Sequence, residues 1–561
     1  MYEAKSIQRY IFRSGKLKDV IAASERLDQL IDTNDNSVLS KVLKRLPEIA
    51  ADLHFSRRKG GAFYVYSDRQ DALIILRKVW TLTVQQFFPD MDFIDGHGIG
   101  DNLIDAIADN HKALAASRNN PVVKMPLFLS NMFLSARTAN PTVPFSTIIK
   151  QKDKEIDADT NINRHTYELM KVENSHYKQY LYKKFIDVES YPDAIFPLDL
   201  SASGDSDDMT SKFPYHSNKN DLALIHIDGN RIGLLLMNIK EHIKKANNSD
   251  YENIFRKFSN ALCDSTECAA KHATSLLIQK LPEDERKIIP MRPLVMGGDD
   301  ISLFCRADLA VEYARDFCLA FQKETEKNLS LLYEKYQYLN LKSHLPKSLS
   351  ASGGLIFQKA TQPFTASHQI VEELCHKAKE ITKVNVIDGV GVPALAFMRI
   401  STMQDDHFKQ LFANSYMTSI SDAEGNNCSL VTSIGNYIVT NKGDKSNYSH
   451  PNLDDLLDIV QQIYSSKDTA FVGLFRKVLS ELHHNNLYEA KRLMARAEQL
   501  ANNDENSVFT NIEKRFASIR GKKSIHNNLW WLWHLNNKDA TQLETILDDI
   551  IMLVKYTGED L

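Results

Sequence analysis

Cysteine is scarce in this sequence, and its pattern excludes several kinds of site. Six cysteines are spread over 561 residues, and none belongs to a Cys-x-x-Cys pair. The spacing of a zinc ribbon is therefore missing, and we expect no zinc. Few and scattered thiols are typical of a reduced, cytoplasmic protein. The dipeptide His-Asp is also absent, which removes the simplest signature of a metal-dependent phosphohydrolase of the HD type.

Long apolar runs and an excess of one charge are missing as well. No run approaches the roughly 18 apolar residues of a membrane-spanning helix. The start, MYEAKSIQRYIF, lacks the charged-then-apolar order of a secretion signal, so we expect neither secretion nor membrane attachment. Lys and Arg number 68 against 72 Asp and Glu, a net charge of −4. A balance of this kind neither requires nor forbids nucleic acid, so any site for a polyanion must be local.

The stretch from about 220 to 401 has the most informative pattern. DLALIHID (221–228) predicts a buried strand that ends in an acid. After a helical region, the short runs RPLVM and ISLFC flank the turn GGDD, which predicts a hairpin. A helix (307–329), a strand (349–360), a helix (364–383) and a strand (392–400) follow. This order predicts a ferredoxin-like palm.

A degenerate copy of the same pattern occurs earlier in the chain. Residues 57–79 align without a gap on residues 294–316. Gly60-Gly61 then falls on Gly297-Gly298, whereas Ala62 and Phe63 replace Asp299 and Asp300. We therefore predict an α+β protein with two tandem palms, of which the first has lost its acids.

The domain boundaries follow from these patterns. We predict a degenerate first palm at 1–145, a linker or insert at 146–219, a catalytic palm at 220–405 and a helical C-terminal domain at 406–561. Three acids in the insert, Asp205, Asp207 and Asp208, are interpreted as solvated linker residues. Trp530, Trp531 and Trp533 lie near a basic stretch. Three interpretations of this tryptophan cluster are possible: the core of a helical region, a surface for a partner protein, or a stacking surface for RNA.

Three acids are expected to meet at one end of the second palm. In a palm sheet the first strand lies beside the third, so Asp228 should adjoin the turn that carries Asp299 and Asp300. Three clustered carboxylates repel one another unless a cation joins them. Mg²⁺ prefers oxygen ligands, commonly one or two carboxylates together with substrate phosphates, and two such ions could activate a hydroxyl and stabilise a pyrophosphate leaving group. We assign Asp228, Asp299 and Asp300 as catalytic and metal-binding residues.

Neighbouring residues are candidates for holding the nucleotide. Gly297 and Gly298 permit a tight turn and the close approach of a phosphate to the backbone. The turn Gly229-Asn230 could supply a further backbone oxygen. Lys379, near the end of helix 364–383, could reach the β- and γ-phosphates as a point charge. The alternative is that Lys379 is one solvated lysine among several.

These motifs together resemble a known family. IHIDGNRIG, MGGDDISLF and the helix ending in CHKAKEITK are similar to the second palm of the large polymerase/cyclase subunit of type III CRISPR effector complexes. SIQRYIFRSGKLKDVIAAS (6–24) resembles that family's entry into its first palm. The matches cover about 1–145 and 220–400. GGDEF-type cyclases share the palm, but here Asp-Ile replaces Glu-Phe.

The resemblance implies a nucleotidyl cyclase that joins ATP through 3′–5′ bonds into cyclic oligoadenylate, a second messenger of antiviral defence. It implies Asp228 and Asp299 as ligands of two Mg²⁺ or Mn²⁺ ions, Asp300 as the second turn acid and Lys379 as a triphosphate contact. Partners would be CRISPR RNA-binding subunits and guide or target RNA. Since the first palm begins at Met1, we expect no HD nuclease domain, and 130–145 lacks the cysteines of the family's zinc module.

Two other functions remain open at this point. A non-catalytic scaffold subunit of an RNA-guided complex would not need clustered, buried acids. A template-dependent polymerase is disfavoured because no separate basic channel is evident in a chain of net charge −4.

Overall fold

The structure is a computed structural model, and the ranges that it describes leave gaps in the chain. They are 1–13, 17–31, 37–88, 91–119, 142, 181–197, 200, 212–216, 220–243, 248–387, 389–401, 407–421, 427–441, 448–466, 469–501, 508–521, 523–536 and 539–557. Asp205, Asp207 and Asp208 lie outside these ranges, as do residues 130–145 apart from residue 142.

The N-terminal part folds into a four-stranded antiparallel sheet with helices. Its elements are β1 (Tyr2–Lys5), α1 (Ile7–Ile11), α2 (Leu17–Ile31), α3 (Val38–Lys44), α4 (Pro47–Ala50), β2 (His54–Lys59), β3 (Ala62–Tyr66), α5 (Gln70–Phe87), β4 (Asp92–Asp95) and α6 (Leu103–Asn119). The strand order is β2-β3-β1-β4, and every neighbouring pair is antiparallel. This is the ferredoxin-like order expected of a first palm.

The second palm repeats that order in a larger sheet. Its elements, preceded by α7 (Tyr182–Phe185), are β5 (Asp221–Gly229), α8 (Ile232–His242), α9 (Asn248–Lys280), β6 (Met291–Met296), β7 (Ile301–Arg306), α10 (Ala310–Lys335), β8 (Ala351–Lys359), α11 (Phe364–Val384), β9 (Val386–Ile387), β10 (Val390–Gly391) and β11 (Ala394–Arg399). The strands run β8-β5-β7-β6, and β11 extends the sheet in parallel to β8. The expected fold class, tandem palms in an α+β protein, is confirmed.

The sequence explains where the strands of the second palm lie. β5 is a central strand covered on both faces, so its run Leu222–Ile227 is almost continuously apolar. β6 contains Pro293, which has no amide hydrogen, and it lies at the sheet edge. In β8, Gly354 has no side chain, and α11 can therefore pack directly against the strand. A Cβ at this position would collide with the backbone of Val371.

The C-terminal part contains helices and a further sheet. Its elements are α12 (Phe408–Tyr416), β12 (Met417–Ser421), β13 (Asn427–Val431), β14 (Asn436–Ile438), α13 (Leu453–Ser466), α14 (Thr469–His483), α15 (Leu487–Ala501), α16 (Val508–Arg520), β15 (Ile525–His526), β16 (Leu529–Asn536), β17 (Asp539–Glu544) and α17 (Leu547–Thr557). β14 joins the second palm's sheet, and β12-β13-β17-β16-β15 form a five-stranded sheet that we did not predict.

The tryptophan cluster belongs to that unpredicted sheet. It lies in β16 and not in a helix, because β15 and β17 pair with it on either side. Trp531 and Trp533 are fully buried, and the indole of Trp533 donates a hydrogen bond to Glu544 at 2.6 Å. Of the three interpretations, the structure therefore favours a role in the hydrophobic core, although the tryptophans lie in a strand and not in a helix.

Part of the predicted insert packs against the second palm. Phe185 and Phe196 are buried. The backbone of Ile195 exchanges hydrogen bonds of 2.9 Å with residues on both sides of Ile288, forming a parallel bridge. Residues 181–197 are therefore part of the folded core.

The two palms are in direct contact. The hydroxyl of Tyr66 donates to Glu252 at 2.5 Å, and Lys240 lies 2.9 Å from a ring nitrogen of His111. Helix α2 packs against β6, and α9 packs against β2. Across the described ranges, every helix falls short of the length or the hydropathy that crossing a membrane would take.

Candidate active site

The register of β5 places Asp228 at the hairpin turn. Ile227 forms the last pair with β7, opposite Ile301, while Asp228 pairs with Ser352 on β8. Asp299 belongs to the turn that immediately precedes Ile301. The two carboxyl groups are close enough that, in addition to burial, the charge of Asp228 raises the pKa of Asp299. The structure thus brings together two acids that are distant in sequence, as the palm order predicts.

Glycines make room for the two turn acids. A Cβ at Gly229 would lie only 2.8 Å from Oδ2 of Asp299, and one at Gly297 would collide with Oδ1 of Asp300. The amide of Gly297 donates to the backbone oxygen of Asp300 at 2.8 Å, which closes the turn. Gly298 differs, because a Cβ there would meet only the sulfur of Cys263 at 4.0 Å. The turn therefore has no room for a side chain at Gly297, whereas a side chain at Gly298 would meet no close neighbour.

The corresponding turn of the first palm is built differently. Lys59 pairs directly with Ala62 across Gly60-Gly61, both of which have positive φ. In the second palm, Met296 pairs with Ile301 across four residues. Ala62 is therefore already a strand residue, although it aligns in sequence with a turn acid.

Burial and the charges of neighbouring acids raise the pKa values of both turn acids. Burial, assisted by the charges of Asp228 and Asp300, raises the pKa of Asp299 to about 7. Burial and the charge of Asp228 raise the pKa of Asp300 to about 6. Buried carboxyls with like-charged neighbours favour the neutral form. A cation bound among them would reverse this preference.

Lys379 contacts the site acid directly. Its ammonium donates to Oδ2 of Asp228 at 2.5 Å and to the carbonyl oxygen of Gly229 at 2.8 Å. The Lys379 side chain is only 20% exposed, so the solvated alternative does not describe it. The Gly229 carbonyl, expected as a ligand oxygen, is occupied by this lysine.

Lys377 points to another face of α11, as the helical spacing predicts. Its ammonium lies 4.2 Å from the centroid of Phe412 and 5.4 Å from that of Phe408. Burial lowers the pKa of Lys377 to about 8. Substitution of Lys377 is therefore expected to cost stability, because its half-buried ammonium makes cation–π contacts.

Asn230 fixes the loop after β5. Its side-chain amide donates to Ser350 and Ser352 at 2.9 and 3.0 Å, and its backbone amide donates to the Ser350 carbonyl at 2.8 Å. Asn230 is 8% exposed. The side-chain nitrogen of Asn230 therefore holds β5 to β8, and the nucleotide contact of Asn230 stays a prediction.

Two residues near the site were missed by the sequence analysis. Burial, then the charges of Asp300 and Asp228, raises the pKa of Glu372. Glu372 lies two turns before Lys379 on the same helix. His226 lies two residues before Asp228 on β5, with Nδ1 2.9 Å from the hydroxyl of Ser302, and burial lowers its pKa to about 4. Helical and strand spacing could have indicated both.

The donor chemistry suits a magnesium ion, although the side chains are not arranged around one. Among the described residues, no group of three His, Cys, Asp or Glu side chains is placed to hold a metal. Asp228 and Asp299 supply the oxygen ligands that Mg²⁺ prefers, and a cation between them would offset the repulsion that adds to burial in raising the pKa of Asp299. Metal binding by Asp228, Asp299 and Asp300 stays a prediction.

A separate cavity of about 430 Å³ lies in the first palm. It is lined by the start of β1, the end of β3 and the segment from Asp95 to Gly100. These parts form the end of the sheet opposite the Gly60-Gly61 turn, and none of the candidate acids lines the cavity.

Comparisons with known proteins find a family model similar to the second palm and solved structures similar to the chain. The sequence matches no curated protein. Solved structures that are similar include Csm1 of T. onnurineus, with 14% identity over 68% of this chain and 50% of that chain and a TM-score of 0.34. A Csm1–Csm4 cassette in complex with cA4 has 13% identity over 70% and 53% of the two chains and a TM-score of 0.35. The apo Csm1–Csm4 cassette has 14% identity over 99% and 69%, with a TM-score of 0.41.

This chain spans about half the length of the first Csm1 chains that it matches. Residues 221–387 match the family model described as Cas10/Cmr2, second palm domain. This range contains β5, the hairpin with its acids and all of α11. Residues 221–387 are therefore similar to the second palm domain of Cas10/Cmr2, which confirms for this part of the chain the resemblance seen in the sequence.

Proposed function

We propose that this chain is a metal-dependent nucleotidyltransferase that makes a cyclic oligonucleotide from ATP, with its active site at the second-palm hairpin. The observation that carries the proposal is the convergence of Asp228, Asp299 and Lys379 at one end of a palm sheet. The family match over 221–387 supports it. Oligoadenylate as the product rests on the resemblance.

The acids would serve as the metal-binding side of the site. Asp228 and Asp299 would hold the ions, with Asp300 beside them. Bound there, Mg²⁺ or Mn²⁺ would lower the pKa of the attacking 3′-hydroxyl and neutralise charge on the leaving pyrophosphate. The turn acids would release their protons when the ions bind, because their raised pKa values depend on burial and repulsion without a cation.

Lys379 would exchange partners during substrate binding. Without ions its ammonium neutralises Asp228. A metal on Asp228 would compete for the same carboxylate, so that the ammonium becomes available to the β- and γ-phosphates. The open side of Gly298 would let a phosphate approach the turn backbone.

The first palm would be silent in catalysis. Its Gly60-Gly61 turn brings Lys59 directly opposite Ala62 and leaves no turn position for an acid. Its strands still form a complete sheet that contacts the second palm. We propose a supporting role for it.

We further propose that the chain works within an RNA-guided assembly. CRISPR RNA-binding subunits would be its partners, and guide or target RNA would regulate it. Csm1, to which the chain is similar, has been solved together with Csm4. A purely non-catalytic scaffold is the alternative, and it predicts the same partners without any nucleotide product.

Product analysis separates the two. The protein, alone and with target RNA and the assembly's other subunits, is incubated with ATP and Mg²⁺ or Mn²⁺, and the products are identified by mass spectrometry. We expect 3′–5′ linked cyclic products from the native protein and from the control Asp284→Asn, whose side chain is exposed away from the site. Asp228→Asn and Asp299→Asn should form none. Equal products from Asp299→Asn would contradict the assignment, and no product under any condition would favour the scaffold.

A further inference from the structure

A short helix of the first palm docks on the helix that carries Lys379. Gln8 in α1 donates from Nε2 to Oε1 of Glu372 at 2.5 Å. The ring of Phe12, the residue that follows α1, lies with its centroid 3.9 Å from that of His368 and 5.3 Å from that of Phe364. The contacts therefore join two palms through residues more than 350 positions apart.

The three docked residues of α11 form one face. Phe364, His368 and Glu372 follow one another at intervals of four, which places them along one side of a helix. Phe364 and His368 are buried, while Glu372 keeps 29% of its side chain exposed. The Gln8–Glu372 pair thus lies at the surface end of a buried aromatic contact.

The second half of the same helix reaches the site. Cys375 donates from Sγ to the carbonyl of Ser352 at 3.3 Å, and Lys379 donates to Asp228. At about 1.5 Å of rise per residue, Glu372 and Lys379 lie about 10 Å apart along one helix. A restraint at Glu372 therefore limits how far Lys379 can move.

We infer that Gln8 and Glu372 form an interdomain clasp by which the first palm positions Lys379 for nucleotide binding. Gln8 and Glu372 are positioning residues, since neither would contact the reacting atoms. The inference rests on the proposed function for its nucleotide part. It also gives a role to Gln8 of the Ser6-Ile7-Gln8 motif, which the proposed chemistry leaves unused.

The clasp is tested by exchanging its two residues. Gln8→Glu sets two carboxyls against each other, and the double variant Gln8→Glu/Glu372→Gln restores one donor and one acceptor in reversed order. Arg9→Gln, on the neighbouring exposed position of α1, is the control. Each protein is assayed for AMPPNP affinity by calorimetry and, without nucleotide, for amide hydrogen exchange in the segment 375–382.

We expect Gln8→Glu to weaken AMPPNP binding about three- to tenfold, in keeping with one lost hydrogen bond to a charged group. Its α11 amides should exchange faster, and the double variant should return both properties to native values. Arg9→Gln should change neither. Unchanged exchange in Gln8→Glu, or no rescue in the double variant, would overturn the clasp.

The two readouts keep this inference separate from the proposed function. If the native protein does not bind AMPPNP, the proposed function fails, while hydrogen exchange still reports whether the clasp holds α11. If exchange responds but affinity does not, the clasp does not serve the nucleotide site, and the inference is wrong.

Discussion

Replacing Asp299 by asparagine should stabilise the metal-free protein above neutral pH. The Asp299 carboxyl has its pKa raised from 3.8 to about 7, first by burial and then by Asp228 and Asp300. For an acid whose pKa is raised on folding, the stability contributed by its proton is fully present below pH 3.8 and is lost as the pH rises through 7. Asparagine cannot ionise, so the variant avoids that loss.

The magnitude follows from the two pKa values. A tenfold change in a protonation equilibrium corresponds to about 1.4 kcal/mol, so a rise from 3.8 to about 7 sets an upper bound of about 4 kcal/mol at alkaline pH. Allowing for imperfect packing of the introduced amide, we expect a gain in stability of about 2–4 kcal/mol near pH 8 and a smaller gain near pH 5.

Thermal unfolding in EDTA, at about pH 5 and pH 8, measures the effect. For a unit the size of one palm, the gain corresponds to a rise in Tm of about 5–10 °C at the higher pH. Added Mg²⁺ should stabilise the native protein more than the variant, which reduces the difference in Tm between the two proteins. Asp284→Asn should behave as the native protein does. A variant that is no more stable than the native protein at pH 8 would refute the account of the clustered acids.

Three further outcomes are expected. Lys379→Ala should weaken binding of a non-hydrolysable ATP analogue about ten- to hundredfold in calorimetric titration, whereas Lys383→Ala, at an exposed position one turn later, should not weaken it. Equal, small effects of the two substitutions would show that Lys379 does not contact the nucleotide. Gly297→Ala should abolish activity and lower Tm, because a Cβ there collides with the carboxyl group of Asp300, whereas Gly298→Ala should leave Tm unchanged. Similar melting curves for the two variants would show that the turn has room for a side chain at Gly297. Lys377→Ala should destabilise the protein by about 1–2 kcal/mol through loss of its cation–π contacts, seen in urea unfolding, with native affinity for the ATP analogue.

The meeting of Asp228 with Asp299 was predictable from local patterns. Each strand of a palm is an apolar run bounded by a turn, and the hairpin holds its two strands together within a few residues. Once the strand order is known, the end of β5 has to lie beside that hairpin. The family's motifs reinforced the same expectation, and the match over 221–387 agrees with it.

Other features of the site could not be read from the chain. Lys379 contacts Asp228 across a sequence separation of 151 residues. This contact depends on how α11 packs along β8, which it approaches closely at Gly354. The partner of Gln8 depends on how the two palms dock. Pattern reasoning gives the face of a helix but not the element opposite that face.

The sequence by itself determined the two palm patterns and the acids at one hairpin, because strand periodicity and turn residues act over short distances along the chain. Only the tertiary structure decided that WWLW forms a strand of an additional sheet, since a short apolar run is compatible with a helix or a strand until its hydrogen-bonding neighbours are present. For Trp533 those neighbours are Ile525 and Glu544. The raised pKa of Asp299 was decided in the same way, because burial arises only when distant segments pack over the carboxyl.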